Sequence, residues 1–124
     1  MTPRVLGAPL TVTPVADGHG GWSAELELDP DWPIFAEHFP GNPMFPGSLT
    51  VRLMSALAES ALGAARYEVR EVRFGTALVP PAVVRLRAVP DPARTDTLRC
   101  QVLLSTTDGE TVAARGEVTR HVHR

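Results

Sequence analysis

Residues 38–52 read His-Phe-Pro-Gly-Asn-Pro-Met-Phe-Pro-Gly-Ser-Leu-Thr-Val-Arg, and the rest of the chain is organised around them. Three prolines and two glycines lie between His38 and Gly47. Each proline fixes its own φ and removes a backbone donor, while each glycine allows angles that are closed to other residues. The composition therefore predicts a stiff, turning loop that presents His38.

A long apolar helix is predicted directly after this loop, over residues 48–63. The proline before its start, Ser48 as a cap and Gly63 as a stop are typical punctuation, and roughly 16 residues at about 1.5 Å each span about 24 Å. Its first N–H groups point toward the loop, where the positive end of the helix dipole can hold a developing oxyanion. Apolar residues recur at helical spacing, at Leu49, Leu53, Met54, Ala56, Leu57, Ala61 and Leu62.

The pattern His38-Phe-Pro-Gly-x-Pro-x-x-Pro-Gly-x-Leu49 resembles the signature of the hot-dog-fold β-hydroxyacyl-acyl-carrier-protein dehydratases of fatty acid and polyketide synthesis. A second segment, Phe74 to Pro81, is similar to the family's Phe-x-x-x-Val-x-Pro stretch. The resemblance implies a 3-hydroxyacyl-thioester dehydratase that forms a trans-2-enoyl product.

The resemblance also implies an active site. His38 would be the base, and the N–H of Gly47 would hold the thioester oxygen. Phe39, Met44 and Phe45 would be wall residues around an acyl channel, and packing in the protein core explains these side chains equally well. The residues placed at the substrate on this basis are Phe39, Gly41, Pro43, Met44, Phe45, Pro46 and Arg52.

Arg52 departs from the family pattern. The family has a Glu or Asp at this helix position, where it acts with the histidine across a dimer interface. Arginine stays protonated and has no acceptor, so it cannot be that acid. Glu37 and Glu59 are the candidates within the chain, but a carboxylate from a paralogous hot-dog subunit explains the loss better. The hypothesis is therefore a heterodimer, with a homodimer as the other assembly.

Alternating patterns predict six strands around the helix. The hairpin of Leu10–Val15 and Trp22–Leu28 contains His19 in an exposed turn. The strands after the helix are predicted at Tyr67–Leu78, Val83–Val89, Leu98–Thr106 and Thr111–Val122, and Asp108-Gly109 predicts a hairpin turn between the last two. Residues 1–124 are thus expected to form a single α+β domain with the hot-dog fold, a long central helix wrapped by an antiparallel sheet.

Composition excludes several function classes. The chain has 124 residues, 44% of them hydrophobic, and a formal net charge of -2, so nothing indicates nucleic acid. All 12 basic residues are arginine and are scattered along the chain, which we interpret as codon bias rather than a binding surface. Cys100 is expected to be a packed thiol. His121 and His123 are interpreted as a frayed strand end rather than a metal pair.

The expected partners are an acyl-carrier protein bearing the 3-hydroxyacyl chain and a second hot-dog subunit. No metal or organic cofactor is needed, no membrane span is predicted, and a cytoplasmic location is expected. Two alternatives remain open: a catalytically silent hot-dog subunit that binds acyl-carrier protein or a paralogue, and an acyl thioesterase on the same fold.

Overall fold

The computed structural model describes residues 4–5, 8–9, 12–37 and 45–121. Two helices and eight strands are present in these ranges. The helices are α1 (Pro33–Glu37) and α2 (Gly47–Leu62). The strands are β1 (Arg4–Val5), β2 (Ala8–Pro9), β3 (Val15–Ala16), β4 (Trp22–Leu28), β5 (Arg66–Phe74), β6 (Ala82–Pro90), β7 (Thr97–Thr106) and β8 (Gly109–His121).

Six of these strands form one antiparallel sheet in the order β3-β4-β6-β7-β8-β5. Strand β5 follows the helix in sequence but pairs with β8, so it lies at one edge of the sheet. The strands β1 and β2 pair separately. This arrangement confirms the predicted α+β architecture, with six strands around one long helix.

Helix α2 packs its apolar stripe against the inner face of the sheet. Leu49, Leu53 and Leu57 are at most 2% exposed, and they meet inward residues such as Val84 and Val102. Burying a leucine side chain contributes about 1.5–3 kcal/mol, so this stripe holds the helix to the sheet. Ala58 completes the buried stripe.

Three predictions, on the end of the helix, on one turn and on the cysteine, agree with the structure. Helix α2 ends at Leu62, and Gly63 caps it with a positive φ of 96°, which glycine adopts readily. The N–H of Gly63 donates to the Glu59 carbonyl over 2.8 Å. His19 is exposed in its turn, and Cys100 is 2% exposed in the core. These three predictions are confirmed.

Three predicted strand boundaries were wrong by two residues or more. The first strand of the sheet is only Val15–Ala16, because residues 12–14 make no ladder; Leu10 lies outside the described residues. Strand β5 ends at Phe74 rather than Leu78, where Gly75 turns the chain and donates its N–H to the Ala113 carbonyl. Strand β8 begins at Gly109, two residues before the predicted Thr111, and Gly109 already pairs with Thr106, so the turn contains only residues 107–108.

No helix in the described part of the chain is both long enough and apolar enough to cross a bilayer.

Candidate active site

The start of α2 positions the predicted oxyanion donor. Pro46 is the N-cap, with φ -61° and ψ 140°, and Gly47 is the first helical residue. The carbonyl of Pro46 accepts the N–H groups of Leu49 and Thr50 at 3.0 and 3.2 Å. No acceptor among the described residues pairs with the Gly47 N–H, as expected for the first turn of a helix. The role of Gly47 as the oxyanion donor stays a prediction, and its position in the first turn of α2 is compatible with it.

Ser48 is not the cap that the sequence predicted. The helix begins one residue earlier, and no side chain caps it. Proline has no side-chain acceptor, but its fixed φ suits the extended backbone that precedes a helix. The motif's Pro46-Gly47 pair thus starts the helix, and Ser48 is exposed on its surface.

Part of the predicted site lies outside the described residues: His38, Phe39, Gly41, Pro43 and Met44. Their roles stay predictions. For Glu37 the structure gives only its backbone position at the end of α1, so its candidacy as the acid is also untested.

The end of the motif is tied to the loop after β5. Phe45 is 3% exposed, and its N–H donates to the Leu78 carbonyl over 2.8 Å. Its ring also contacts Phe35 of α1, with the centroids 6.5 Å apart. These contacts anchor Phe45 between α1 and the loop after β5.

A cavity of about 260 Å³ lies between the helix start and this loop. Gly47 and Thr50 form its helix side, and Phe74 and Leu78 belong to its opposite wall. A Cβ built on Gly47 would come 3.1 Å from the Phe74 ring, so the ring lies directly over the helix start. Phe74 is 59% exposed, which leaves its outer side free for a partner or substrate.

Arg52 does not reach this cavity. At 100° per residue, Arg52 lies about 160° around the helix from the buried Thr50 and shares its face with Ser48 and Glu59. All three are exposed, and Arg52 has no ion-pair partner in the described residues. The sequence analysis expected this helix position to act across a dimer interface, and its place at the substrate stays a prediction. Glu59 is likewise directed away from the cavity.

Other titratable groups have structural roles. Burial raises the pKa of the Cys100 thiol to about 12, so it is not a nucleophile. His121 is exposed at the end of β8, but it pairs with Arg66 in the ladder, so the interpretation of this residue as a frayed end was wrong. Its Nε2 lies 3.0 Å from Glu68 Oε2. Its neighbour His123 is outside the described residues. Within the described ranges, no three His, Cys, Asp or Glu side chains cluster as metal ligands would.

Two of the cavity residues that the sequence analysis did not assign to the site are Phe74 and Thr50. Phe74 was quoted only as part of a family-like segment, although that segment does face the motif. Thr50 is polar and was omitted from the apolar helix positions, but it is 2% exposed. Its hydroxyl lies 3.5 Å from the Pro46 carbonyl, a local back-bond that lets a threonine be buried in a helix.

Comparisons with known proteins identify the fold. A family model described as ApeI-like, ApeI dehydratase, matches residues 15–116. No curated protein sequence matches the chain. The dehydratase domain of the polyketide PpsC from Mycobacterium tuberculosis superposes with a TM-score of 0.78 at 21% identity, covering 94% of this chain and 46% of that one.

Two further structures are similar. The dehydratase heterocomplex ApeI:P from Xenorhabdus doucetiae has a TM-score of 0.69 at 21% identity, with 88% of this chain and 96% of that chain covered. The CurF dehydratase domain of the curacin polyketide synthase has a TM-score of 0.77 at 15% identity, with 94% and 45% covered. The chain thus spans about half the length of the polyketide synthase domains it matches. These likenesses confirm the predicted hot-dog fold.

Proposed function

This chain belongs to the ApeI-like dehydratase family, and we propose that it is the histidine-bearing subunit of a 3-hydroxyacyl-acyl-carrier-protein dehydratase. The reaction removes water from the 3-hydroxyacyl thioester and forms a trans-2-enoyl thioester, in polyketide, polyene or fatty acid synthesis. A paralogous hot-dog subunit supplies the acid, and the complex works in the cytoplasm. Residues 1–124 act in it as one domain.

Dehydration needs a base for the α-proton, an acid for the departing hydroxyl, and donors for the thioester oxygen. His38 is the base, since an unperturbed imidazole has a pKa of about 6.5 and can accept a proton near neutral pH. Gly47 supplies the oxyanion donor. Its N–H has no acceptor among the described residues, and the residue borders the cavity beneath Phe74.

The observation that carries the proposal is the position of Arg52. It lies on the exposed face of α2, turned away from the Gly47 cavity of its own chain. A side chain at this helix position therefore serves a site formed with another subunit. In a homodimer both sites would receive Arg52, which stays protonated at working pH and so does not transfer a proton to a leaving hydroxyl. In a heterodimer, His38 meets the partner's acid in one site, and Arg52 lies in the second, non-productive one.

The free edge of the sheet supports an assembly. Strand β5 has nine residues and pairs only with β8 in the described structure. A long edge strand offers unpaired N–H and C=O groups, and proteins usually cover or pair such an edge. Phe74 at its end is the most exposed of the described aromatic rings. The related Xenorhabdus doucetiae structure is itself a dehydratase heterocomplex, which supports a two-subunit enzyme here.

The test is a mass-spectrometric dehydration assay on a 3-hydroxyacyl thioester. The natural chain alone should be inactive, and addition of the paralogue that co-purifies with it should restore turnover. His38→Ala in this chain should remove the activity of the complex. Arg52→Glu should give activity to the isolated chain, because each site of the homodimer then has both a base and an acid.

Full activity of the isolated natural chain that His38→Ala abolishes would overturn the partner requirement, and Glu37 would become the acid to mutate next. Hydrolysis to the free acid in place of water loss would assign thioesterase activity instead.

A silent subunit is the second candidate, because the exposed Arg52 leaves the isolated chain without the family's acid. In that case the chain binds acyl-carrier protein or a paralogue without turning substrate over. His38→Ala would then leave the activity of the complex intact. This outcome separates the silent subunit from the histidine-bearing one.

A further inference from the structure

Three polar side chains are buried in the described part of the chain: Thr50, Thr97 and Asp91, each at most 5% exposed. Two of them have good partners. The Thr97 hydroxyl lies 3.0 Å from the Thr119 hydroxyl, and the Asp91 carboxylate accepts hydrogen bonds from two backbone N–H groups and two arginines. Thr50 is the exception.

The hydroxyl of Thr50 is poorly satisfied by the fold. Its only partner in the described residues is the Pro46 carbonyl, at 3.5 Å, whereas a hydroxyl hydrogen bond ordinarily spans about 2.5–3.0 Å. The Pro46 carbonyl also accepts the N–H groups of Leu49 and Thr50 at 3.0 and 3.2 Å, so both of its lone pairs are already in use. Thr50 therefore keeps hydrogen-bonding capacity for another molecule.

Stability does not explain a threonine at this position. A buried hydroxyl without a good partner costs free energy, and valine has the same shape and nearly the same helix propensity. Valine at residue 50 would therefore be at least as stable. Groups that lower stability without structural need are typical of functional sites. The other buried residues of α2 are all apolar: Leu49, Leu53, Met54, Leu57 and Ala58.

Thr50 borders the cavity between the helix start and the loop after β5, one helical turn beyond Gly47. Helical side chains lean toward the N-terminus, so the Thr50 hydroxyl lies over the turn that begins at Gly47. The other hydroxyl side chain of the lining, Thr76, is exposed and can bind water. The remaining lining residues are glycine, alanine, leucine and phenylalanine. Among the described residues, Thr50 is thus the buried polar side chain that a molecule in this cavity meets.

We infer that the Thr50 hydroxyl binds the 3-hydroxyl group of the substrate. The inference rests on the proposed function, in which the Gly47 N–H holds the thioester oxygen. One methylene carbon separates the thioester carbonyl from the carbon that bears the 3-hydroxyl, so both oxygens fit within one helical turn of about 5.4 Å. A hydroxyl both donates and accepts, so it pairs with whichever part of Thr50 the Pro46 carbonyl leaves free.

This contact orients the leaving group. In the elimination, His38 takes the α-proton, and the electron pair of that C–H bond forms the double bond. The bond from C3 to oxygen breaks, and the partner's acid protonates the leaving hydroxyl to water. Thr50 transfers no proton in this step. Its hydrogen bond fixes the rotation about the C2–C3 bond, and it makes the site prefer a 3-hydroxyacyl group to a saturated acyl group.

The experiment compares two probes that differ only in this hydroxyl, the hexanoyl and 3-hydroxyhexanoyl thioesters of N-acetylcysteamine. The chain is purified with the subunit that accompanies it. Binding is titrated by calorimetry with His38→Ala present, which prevents turnover. Dehydration kinetics and melting temperature are measured with His38 intact. The variants are Thr50→Val and Thr50→Ser, and the matched control is Thr97→Val, which removes a buried hydroxyl outside the cavity.

Thr50→Val should weaken binding of the 3-hydroxyhexanoyl probe and lower kcat/KM, each by roughly five- to tenfold, the effect of losing one uncharged hydrogen bond. Its affinity for the hexanoyl probe should stay unchanged, and its melting temperature should equal or exceed that of the natural chain. Thr50→Ser retains the hydroxyl and should restore both binding and turnover. Thr97→Val should show the reverse, a melting temperature lower by about 4 °C with unchanged kcat/KM.

A Thr50→Val variant that still prefers the 3-hydroxyhexanoyl probe as strongly as the natural chain would overturn the inference. So would a joint loss of melting temperature and turnover that Thr50→Ser does not rescue, because the hydroxyl would then be structural. Failure of the natural chain to bind either probe would overturn it as well. If the probes bind but neither the natural chain nor its complex eliminates water, the proposed dehydratase function fails, and the binding comparison still decides the role of Thr50.

Discussion

At the scale of single residues, two glycines meet very different neighbours. A Cβ on Gly47 would lie 3.1 Å from the ring of Phe74, which is exposed and can turn aside. A Cβ on Gly21 would lie 2.8 Å from the Ala88 carbonyl oxygen, part of the β4–β6 ladder that cannot move without breaking pairs. The first glycine keeps space near the site, and the second lets two backbones approach.

We predict that Gly47→Ala changes the free energy of unfolding by less than about 1 kcal/mol, whereas Gly21→Ala lowers it by about 1–3 kcal/mol. Urea unfolding followed by circular dichroism measures both. Equal losses in the two variants would mean that the Phe74 ring is held as firmly as backbone. The double variant Gly47→Ala/Phe74→Ala is the control for the ring contact.

The residue scale also explains which site residues could be predicted. Gly47 and Phe45, which line the cavity, could be named from the sequence because proline and glycine spacing is a local property of the chain. Phe74 and Thr50 were not assigned to the site, because their role depends on where β5 and α2 meet. The orientation of Arg52 away from the cavity could not be predicted, because the sequence does not show where the cavity lies.

At the scale of elements, the turn between β6 and β7 is held by one buried carboxylate. Asp91 Oδ1 accepts the N–H groups of Ala93 and Arg94, and Oδ2 accepts from the Arg94 and Arg99 guanidinium groups. These contacts, first the Ala93 N–H and then Arg94, hold the pKa of Asp91 well below its usual range. Arg94 also reaches Glu117 on β8, so the turn is joined to a third strand.

Because its pKa is lowered in the folded state, the contribution of Asp91 to the free energy of unfolding depends on pH. Because the folded-state pKa lies below the unfolded value of about 3.9, Asp91 stabilises the fold fully above that value and loses its effect as the pH falls toward the folded pKa. We predict that Asp91→Asn lowers the melting temperature at pH 7 and that the difference from wild type shrinks below pH 4. Thermal melts at pH 7, 4 and 2.5 measure it.

Asp108→Asn, in the exposed turn between β7 and β8, is the matched control and should melt like wild type at each pH. A difference for Asp91→Asn that stays constant down to pH 2.5 would contradict the role of its charge.

Strand β5 shows why hydrophobic alternation alone did not predict where the strand ends. Strand β5 carries a bulge between Arg70 and Arg73, where Glu71 adopts a positive φ of 55°. A bulge shifts by one residue which side chains of the strand face the core. The alternation of apolar and polar residues along β5 is therefore irregular. Its end at Phe74 depends on the Gly75 contact with β8, which is distant in sequence.

At the scale of the whole molecule, the open β5 edge predicts how subunits meet. Phe74→Arg should abolish or weaken subunit association by roughly tenfold or more, because it places a charge at an apolar contact. The monomer should keep its free energy of unfolding within about 1 kcal/mol, since the side chain is 59% exposed. Light scattering after size exclusion measures the assembly.

Val83→Arg is the control for this substitution, because Val83 is 44% exposed on β6, away from the edge strand. An unchanged oligomeric state in Phe74→Arg would place the subunit contact elsewhere.

The arginines give the clearest contrast between the chain and the folded molecule. In sequence, Arg73, Arg87 and Arg115 are separated by more than a dozen residues each and were interpreted as scattered. The strand order β6-β7-β8-β5 brings them into one row. A row of charges that strand pairing brings together leaves no local signal in the sequence.

The sequence by itself determined the buried helix, its glycine stop and the hairpins, and it predicted a stiff loop before the helix and a missing acid at Arg52. All of these depend on residues close together in the chain, where backbone restrictions and apolar periodicity act locally. Only the tertiary structure decided that β5 lies at the sheet edge beside β8, that Phe74 covers Gly47, that Arg52 faces away from its own cavity and that three arginines align. These features depend on strand pairing and packing between distant segments, whose free energy is shared by the whole fold.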